Sequence, residues 1–355
     1  MNIQDLLNID SQNMHQVIKN FPEQIKEAIE IGKDAKIYSK SYKPDSIIIL
    51  GMGGSAIGGD LLSSFIQSSP ETNVVSIKVN RNYNINQIIG DSALVIASSY
   101  SGNTEETISA FESARKQTNN LLCISSGGNL FSLAEKYNFP IIKIPAGYQP
   151  RCALAYSFFP LLYILIRLNL FSINTEKKIE KAIEETIEKI SQLSDIYSVP
   201  DENNIAYSTA KKIVNSIPII YSSTERLDSV NLRWRDQINE NAKNLCYGSL
   251  LPEMNHNEIN SFSHPQDLIQ RLSIIYLKDK DDHPRISDRF VALSDIMEGK
   301  VNIQLSFSGH GEYFLTRMFE LVYLGDWISY YLAIENKIDP TPIPVINYLK
   351  ERLSS

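Results

Sequence analysis

Two stretches decide how this chain is read: Ser46–Gly59 (SIIILGMGGSAIGG) and Ala93–Thr107 (ALVIASSYSGNTEET). Each is an apolar run that stops at a cluster of Gly, Ser and Thr, and each cluster leads into a helical pattern. A buried strand feeding a small-residue turn and a helix N-terminus is a ready anion site. The backbone N–H groups point outward and the helix dipole favours negative charge. Two such turns at the ends of neighbouring parallel strands would converge on one phosphate.

The sequence on either side of these stretches alternates in the same way. Ile47–Leu50 is continuous and mostly β-branched, as in a parallel sheet covered on both faces. Helices are expected over Ser55–Ser64, Glu105–Gln117 and Phe131–Tyr137, and strands over Val74–Val79, Ala93–Ser98, Leu121–Ser125 and Ile141–Ile144. Strands alternating with helices imply right-handed crossovers and an open, doubly wound α/β sheet. Ligands of such sheets sit beyond the carboxyl ends of the strands, which here carry Gly51–Ser55, Ser98–Thr104 and Ser125–Asn129.

Residues 1–35 have apolar positions at helical spacing, with Pro22 at a helix start, and read as a helical arm. Thr175–Leu193, rich in Lys and Glu, reads as a solvated helix at a domain boundary. A second alternation follows, with helices over Ala206–Val214, Glu225–Lys243 and Glu312–Ile334 and strands over Pro218–Ser222, Ser273–Leu277 and Val301–Leu305. The expected organisation is an arm (1–35), a first α/β domain (36–172) and a second (173–355) with a C-terminal helix. Only the first carries the Gly/Ser turns.

At 355 residues, two domains are the prior. A net charge of -7 and a pI near 5.4 argue against a nucleic-acid or anionic-membrane binder. Cys123, Cys152 and Cys246 are scattered and show no metal or disulfide spacing, which points to a reducing cytoplasm. The N-terminus is polar and lacks an apolar signal core. The most apolar helical stretch, Ala153–Leu170, contains Pro160 and Arg167 and reads as a buried helix rather than a membrane span.

Gly51–Ala56 also fits G-x-G-x-x-A, but a dinucleotide site needs an acidic residue after the second strand, where Lys78-Val79-Asn80-Arg81 stands. The turn has no GxxxxGK[ST], which argues against a nucleotide triphosphatase. Ser99, Ser101 and Thr104 offer hydroxyls beside the N–H groups of Gly102 and Asn103. Helix capping needs one such residue. The surplus, with Gly102 in the middle for close approach, points to a phosphomonoester held by neutral donors.

The segments GMGGSAIGGDL (51–61), SSYSGNTEET (98–107) and ISSGGNL (124–130) resemble a sugar isomerase (SIS) domain, a phosphosugar-binding module. PRCALAY (150–156), NENAK (239–243) and PEMNHNE (252–258) sharpen that to the bifunctional phosphoglucose/phosphomannose isomerase family, over essentially the whole chain as two SIS domains. The resemblance implies an aldose–ketose isomerase that interconverts glucose 6-phosphate and mannose 6-phosphate with fructose 6-phosphate. Proton transfer would pass through a cis-enediol without metal or cofactor. It implies Glu240 as the proton-transfer base and His256 as the ring-opening group, supplied by the partner subunit of a homodimer, with Glu258 orienting its ring. Arg151 would face the developing enediolate, and Lys350 would be a terminal active-site lysine. Gly54, Ser55, Ser99, Ser101 and Thr104 would hold the phosphate.

From the residues alone, Glu240 is also compatible with a solvated helix position paired with Lys243, and Arg151 with a surface ion pair. No His, Asp, Glu or Cys set has recognisable metal spacing, so the chain reads as the alternative to the zinc-dependent mannose-phosphate isomerases. Two other classes stay open: a non-catalytic sugar-phosphate regulator, and an isomerase of another phosphosugar. An amino-sugar synthase would need a glutamine-hydrolysing domain, for which the chain has no room.

Overall fold

In the central strands, nearly every residue is apolar and buried, as full coverage of a sheet on both faces requires: β1 (Ser46–Leu50), β3 (Leu94–Ser99) and β4 (Leu121–Ser125). The computed structural model describes residues 8–38, 42–85 and 89–353, so residues 1–7 of the expected arm lie outside the described residues. With β2 (Ser76–Asn80) and β5 (Ile141–Lys143), these strands form a five-stranded sheet in the order β2-β1-β3-β4-β5. All its pairings are parallel, with Ile47 opposite both Ile77 and Leu94, and Val95 opposite Leu121. The order reverses between β1 and β3. The glycine and serine turns that follow these two strands therefore stand at the switch point, where doubly wound sheets take their ligands.

This first unit comprises Asn20–Glu188 and Glu312–Thr316. Its sheet is covered by α2 (Phe21–Asp34), α3 (Gly53–Gln67), α4 (Glu105–Ala114), α5 (Gly128–Lys136) and α6 (Leu154–Arg167). Residues 154–165 of α6 are all buried, Pro160 among them. Gly32 lets α2 approach α6 closely, since a Cβ there would lie 2.7 Å from Tyr163 Cβ. Among the described residues, no helix is long and apolar enough to cross a membrane.

The second unit gathers residues 8–19, 189–311 and 317–353. The expected N-terminal arm is thus shared: α1 (Met14–Lys19) belongs here and α2 belongs to the first unit. The charged helix expected over 175–193 runs from Ile173 to Tyr197 (α7), and the passage between units falls inside it. The second sheet is four-stranded and all parallel, in the order β7-β6-β8-β9: β6 (Ile217–Ser223), β7 (Tyr247–Leu251), β8 (Leu272–Lys278) and β9 (Ile303–Ser308). Its helices are α8 (Ile205–Ile213), α9 (Asp228–Asn241), the single turn α10 (Gln266–Ile269), α11 (Pro284–Met297), the long α12 (Phe314–Glu335) that begins in the first unit, and α13 (Pro344–Leu353).

Sequence and structure part at three places in this unit. The helix expected from Glu225 starts at Asp228, because Glu225 takes a left-handed φ of 67° and Arg226 turns to bind Asp279. β7 is an edge strand (YGSLL) that is exposed at Tyr247, half-exposed over 248–250 and buried only at Leu251, and α11 buries only Phe290, Leu293 and Met297. β7 lacks the continuous apolar run of the central strands, whereas α11 has apolar residues at helical spacing (Ile286, Phe290, Leu293, Met297) between charged ones and is nonetheless absent from the expected elements.

At its own switch point, between β6 and β8, the second sheet has no glycine turn. Asp279, after β8, is buried between two guanidinium groups: Arg317 Nε at 2.7 Å and Arg226 Nη2 at 2.8 Å. A carboxylate of the chain itself is thus held by cations at the position equivalent to the first unit's Gly/Ser turns.

Candidate active site

Three helices of the first unit start at the carboxyl edge of the sheet, and none has a side-chain cap: α3 after Met52, α4 after Thr104 and α5 after Gly127. By contrast, Asn204 caps α8 and His283 caps α11. The first N–H groups of a helix have no partner inside it. For α5 they are used to build the neighbouring turn: Leu130 N–H donates to the Gly102 carbonyl (2.8 Å) and Asn129 N–H to Asn103 Oδ1 (3.0 Å). The turn at 125–129, expected as a third ligand edge, therefore braces the turn at 99–104. The starts of α3 and α4 have no side-chain cap.

The close approach inferred at Gly102 is to the chain itself. Gly102 has a φ of 69°, and a Cβ on it would stand 1.8 Å from the Gly127 carbonyl oxygen. Gly54 is likewise pinned, its Cβ position lying 2.5 Å from the Pro150 carbonyl oxygen.

The hydroxyls differ in their surroundings. Ser99 is buried; its Oγ accepts the Gly102 N–H (3.1 Å) and lies 2.9 Å from Thr104 Oγ1. Ser55, also buried, accepts the Tyr100 N–H (3.0 Å) and so ties α3 to the second turn. Ser101 is exposed and accepts the Asn103 N–H at 3.2 Å. Thr104 stands at the capping position of α4 but makes no cap. The capping explanation for these hydroxyls therefore does not hold.

Arg151 lies in a 3-10 turn (Pro150–Cys152) and is buried. Its backbone N sits 3.2 Å from the Cβ position of Gly54, so the structure brings the PRCALAY segment onto the turn that opens α3. Nothing in the sequence singles out Tyr100, which stands between two motif serines. Its phenol oxygen accepts the Tyr148 N–H at 2.8 Å, and burial pushes its pKa up, so it is a neutral phenol at physiological pH.

Glu240, His256 and Lys350 stand on three segments of the second unit. Glu240 is half-buried in the last turn of α9, and its neighbours fix that turn. Asn239 Oδ1 accepts the Cys246 N–H (3.1 Å), Asn241 Nδ2 donates to Ser329 Oγ (2.9 Å), and Lys243 Nζ donates to the carbonyls of Asp339 (2.8 Å) and Pro340 (2.9 Å). Earlier in the helix, Arg233 and Gln237 bind the two oxygens of Asp326, and Trp234 Nε1 donates to the Leu321 carbonyl (2.8 Å). Asn241, with Arg233, Trp234 and Gln237 earlier in the helix, thus clamps α9 onto α12, while Asn239 and Lys243 tie the helix end to residues before β7 and after α12.

His256 ends a 3-10 turn (Glu253–His256) and is exposed. The turn is held by buried Met254, by Asn255 accepting from Arg289 (3.3 Å) and by Asn257 donating to Glu253 (3.0 Å). Glu258 does not orient this ring. Its Oε1 accepts from the Tyr221 hydroxyl (2.6 Å) and its Oε2 from the Ser249 hydroxyl, which anchors the loop to β6 and β7. Lys350 lies on α13, none of whose residues is buried. Among the described residues, no three or more His, Cys, Asp or Glu are grouped so as to hold a metal ion.

A doubly wound parallel sheet with uncapped, hydroxyl-rich helix starts at its switch point, followed by a second parallel sheet, defines a tandem SIS-type protein. The model of the bacterial phospho-glucose isomerase C-terminal SIS domain matches residues 202–353. A solved hypothetical protein from Thermus thermophilus shares the fold, with a TM-score of 0.72 at 14% identity, covering 99% of this chain and 94% of its own. The bifunctional phosphoglucose/phosphomannose isomerase of Caldicellulosiruptor bescii is 40% identical, covering 96% of this chain and 99% of its own length. The chain belongs to the bifunctional phosphoglucose/phosphomannose isomerase family. A D-glucosamine-6-phosphate 4-epimerase of Sulfolobus acidocaldarius is also similar, at 31% identity over 68% of this chain and 72% of its own.

Proposed function

We propose that this chain interconverts glucose 6-phosphate and mannose 6-phosphate with fructose 6-phosphate by proton transfer through a cis-enediol. The observation that carries the reading is the pair of uncapped helix starts at one switch point, lined by Ser55, Ser101 and Thr104. They suit a phosphate monoester, held by backbone N–H groups including that of Gly54, with Ser99 bracing Thr104.

Glu240 is the base that moves the proton between C1 and C2. The clamp of its helix onto α12 through Asn241, Arg233 and Gln237 supports that role, because a proton-transfer group must be held in a fixed place beside the sugar. His256 opens the ring, Arg151 faces the charge of the enediolate and Lys350 is a further active-site cation. Serving both C2 epimers with one base requires rotation about C2–C3 after ring opening.

The active form is a homodimer in which His256 comes from the partner. In support, His256 is exposed on its own chain, and α13 leaves Val345, Leu349 and Leu353 exposed at four-residue spacing. The test is a coupled assay of purified protein on all three sugar phosphates, with and without EDTA. Turnover of both aldose phosphates, unchanged by EDTA, is expected.

A second reading, a reaction on an amino-sugar phosphate, is favoured by the similarity to the glucosamine-phosphate epimerase. Glucosamine 6-phosphate as the better substrate would establish it. Binding of the phosphosugars without turnover would instead indicate a regulator.

A further inference from the structure

Tyr100 ties its own turn to three neighbouring segments of the first unit. Its N–H donates to Ser55 Oγ on α3 (3.0 Å). Its carbonyl accepts from the N–H (3.1 Å) and the hydroxyl (2.6 Å) of Ser126. Its phenol oxygen accepts the N–H of Tyr148 (2.8 Å), three residues before Arg151. The segment between them is shaped by other constraints as well. It bends at Gly147, where φ is 101°, and its Pro150 carbonyl fills the space beside Gly54. The Tyr148 ring lies 5.7 Å from that of Tyr156, whose hydroxyl donates to Glu27 (2.6 Å). The segment is therefore held by packing on Gly54 and Tyr156 and, at the Tyr148 N–H, by the phenol oxygen of Tyr100.

We propose that Tyr100 is a positioning residue for the isomerisation. Its phenol oxygen fixes the Tyr148 N–H and, through it, the placement of Arg151 relative to a sugar anchored by its phosphate on the neighbouring turn. The proposal rests on the reading of Arg151 as the group that meets the developing enediolate. A small displacement of such a group costs rate rather than substrate affinity, because the charge it meets exists only near the transition state.

The experiment is steady-state kinetics of Tyr100→Phe and Arg151→Lys on fructose 6-phosphate, with thermal melts of both. Tyr100→Phe keeps the backbone bonds of Tyr100 to Ser55 and Ser126 and removes only the acceptor of the Tyr148 N–H. It is expected to lower kcat about tenfold to a hundredfold while KM stays within about twofold. Inhibition by an aldonate phosphate, whose planar carboxylate mimics the enediolate, weakens in step with kcat. Inhibition by an acyclic polyol phosphate, which needs only the phosphate turn, does not change.

A purely structural role for Tyr100 would instead raise KM and both inhibition constants together and lower Tm. That result overturns the proposal, as does a wild-type kcat in Tyr100→Phe. Arg151→Lys separates the two layers. Full activity in Arg151→Lys removes the reading of Arg151 itself, whereas loss there with normal Tyr100→Phe removes only the positioning role.

Discussion

The Gly127 carbonyl oxygen occupies the space a side chain on Gly102 would need, 1.8 Å from its Cβ position. The two turns are also joined by the Leu130 N–H to Gly102 carbonyl bond (2.8 Å), so neither can move without the other. Gly102→Ala combines a left-handed backbone with this overlap. It is expected to cost at least about 1–3 kcal/mol of stability and to raise KM for fructose 6-phosphate sharply. Thermal melts and kinetics of the variant check both.

Ser99 and Ser101 separate the two jobs a hydroxyl has in this turn. Ser99→Ala removes the partner of Thr104 Oγ1 and one of the two acceptors of the Gly102 N–H, which keeps the Ser99 carbonyl at 3.1 Å, at about 0.5–1.5 kcal/mol. It should lower Tm as well as phosphate affinity. Ser101→Ala touches an exposed hydroxyl and should raise KM with Tm unchanged. Equal Tm for the two variants would contradict this division.

The first sheet was readable because its central strands are continuous apolar runs, and the phosphate turns because small residues interrupt them so abruptly. The spatial purpose of the glycines was not readable. Gly102 and Gly54 answer to Gly127 and Pro150, residues distant in sequence, so the approach that Gly102 signals as one by a ligand is made by the chain itself. Glu258 shows the same limit. Its nearness in sequence to His256 was misleading, because the chain turns at Asn257 and gives the carboxylate to Tyr221 and Ser249. Tyr100 was hidden for a further reason: its hydrogen bonds are made mostly by its backbone and by the tip of a ring.

The buried pair of Asp279 and Arg317 predicts an acid-dependent share of stability. Burial raises the Asp279 pKa, but the hydrogen bonds and charge of Arg317, with the charge of Arg226, outweigh it and hold the carboxyl below its usual range. A pKa depressed on folding gives stability that is present above the unfolded value of about 4 and is lost as pH falls through the folded one. Asp279→Asn should therefore cost about 1.5–3 kcal/mol at pH 7, by taking the buried carboxylate from two guanidinium groups that keep the more exposed Asp281. Denaturant unfolding should show the gap between wild type and variant narrowing as pH drops below about 4. A gap independent of pH would contradict the assignment.

The central claim is that Glu240, set by the clamp of α9 onto α12, carries the proton between C1 and C2. Its most direct test is the turnover of Glu240→Gln, which keeps the size of the side chain and removes its basicity. The account predicts retained fold and phosphosugar binding, with kcat for both aldose phosphates lowered by roughly 10²–10⁴. Near-normal turnover in Glu240→Gln would show that another group moves the proton.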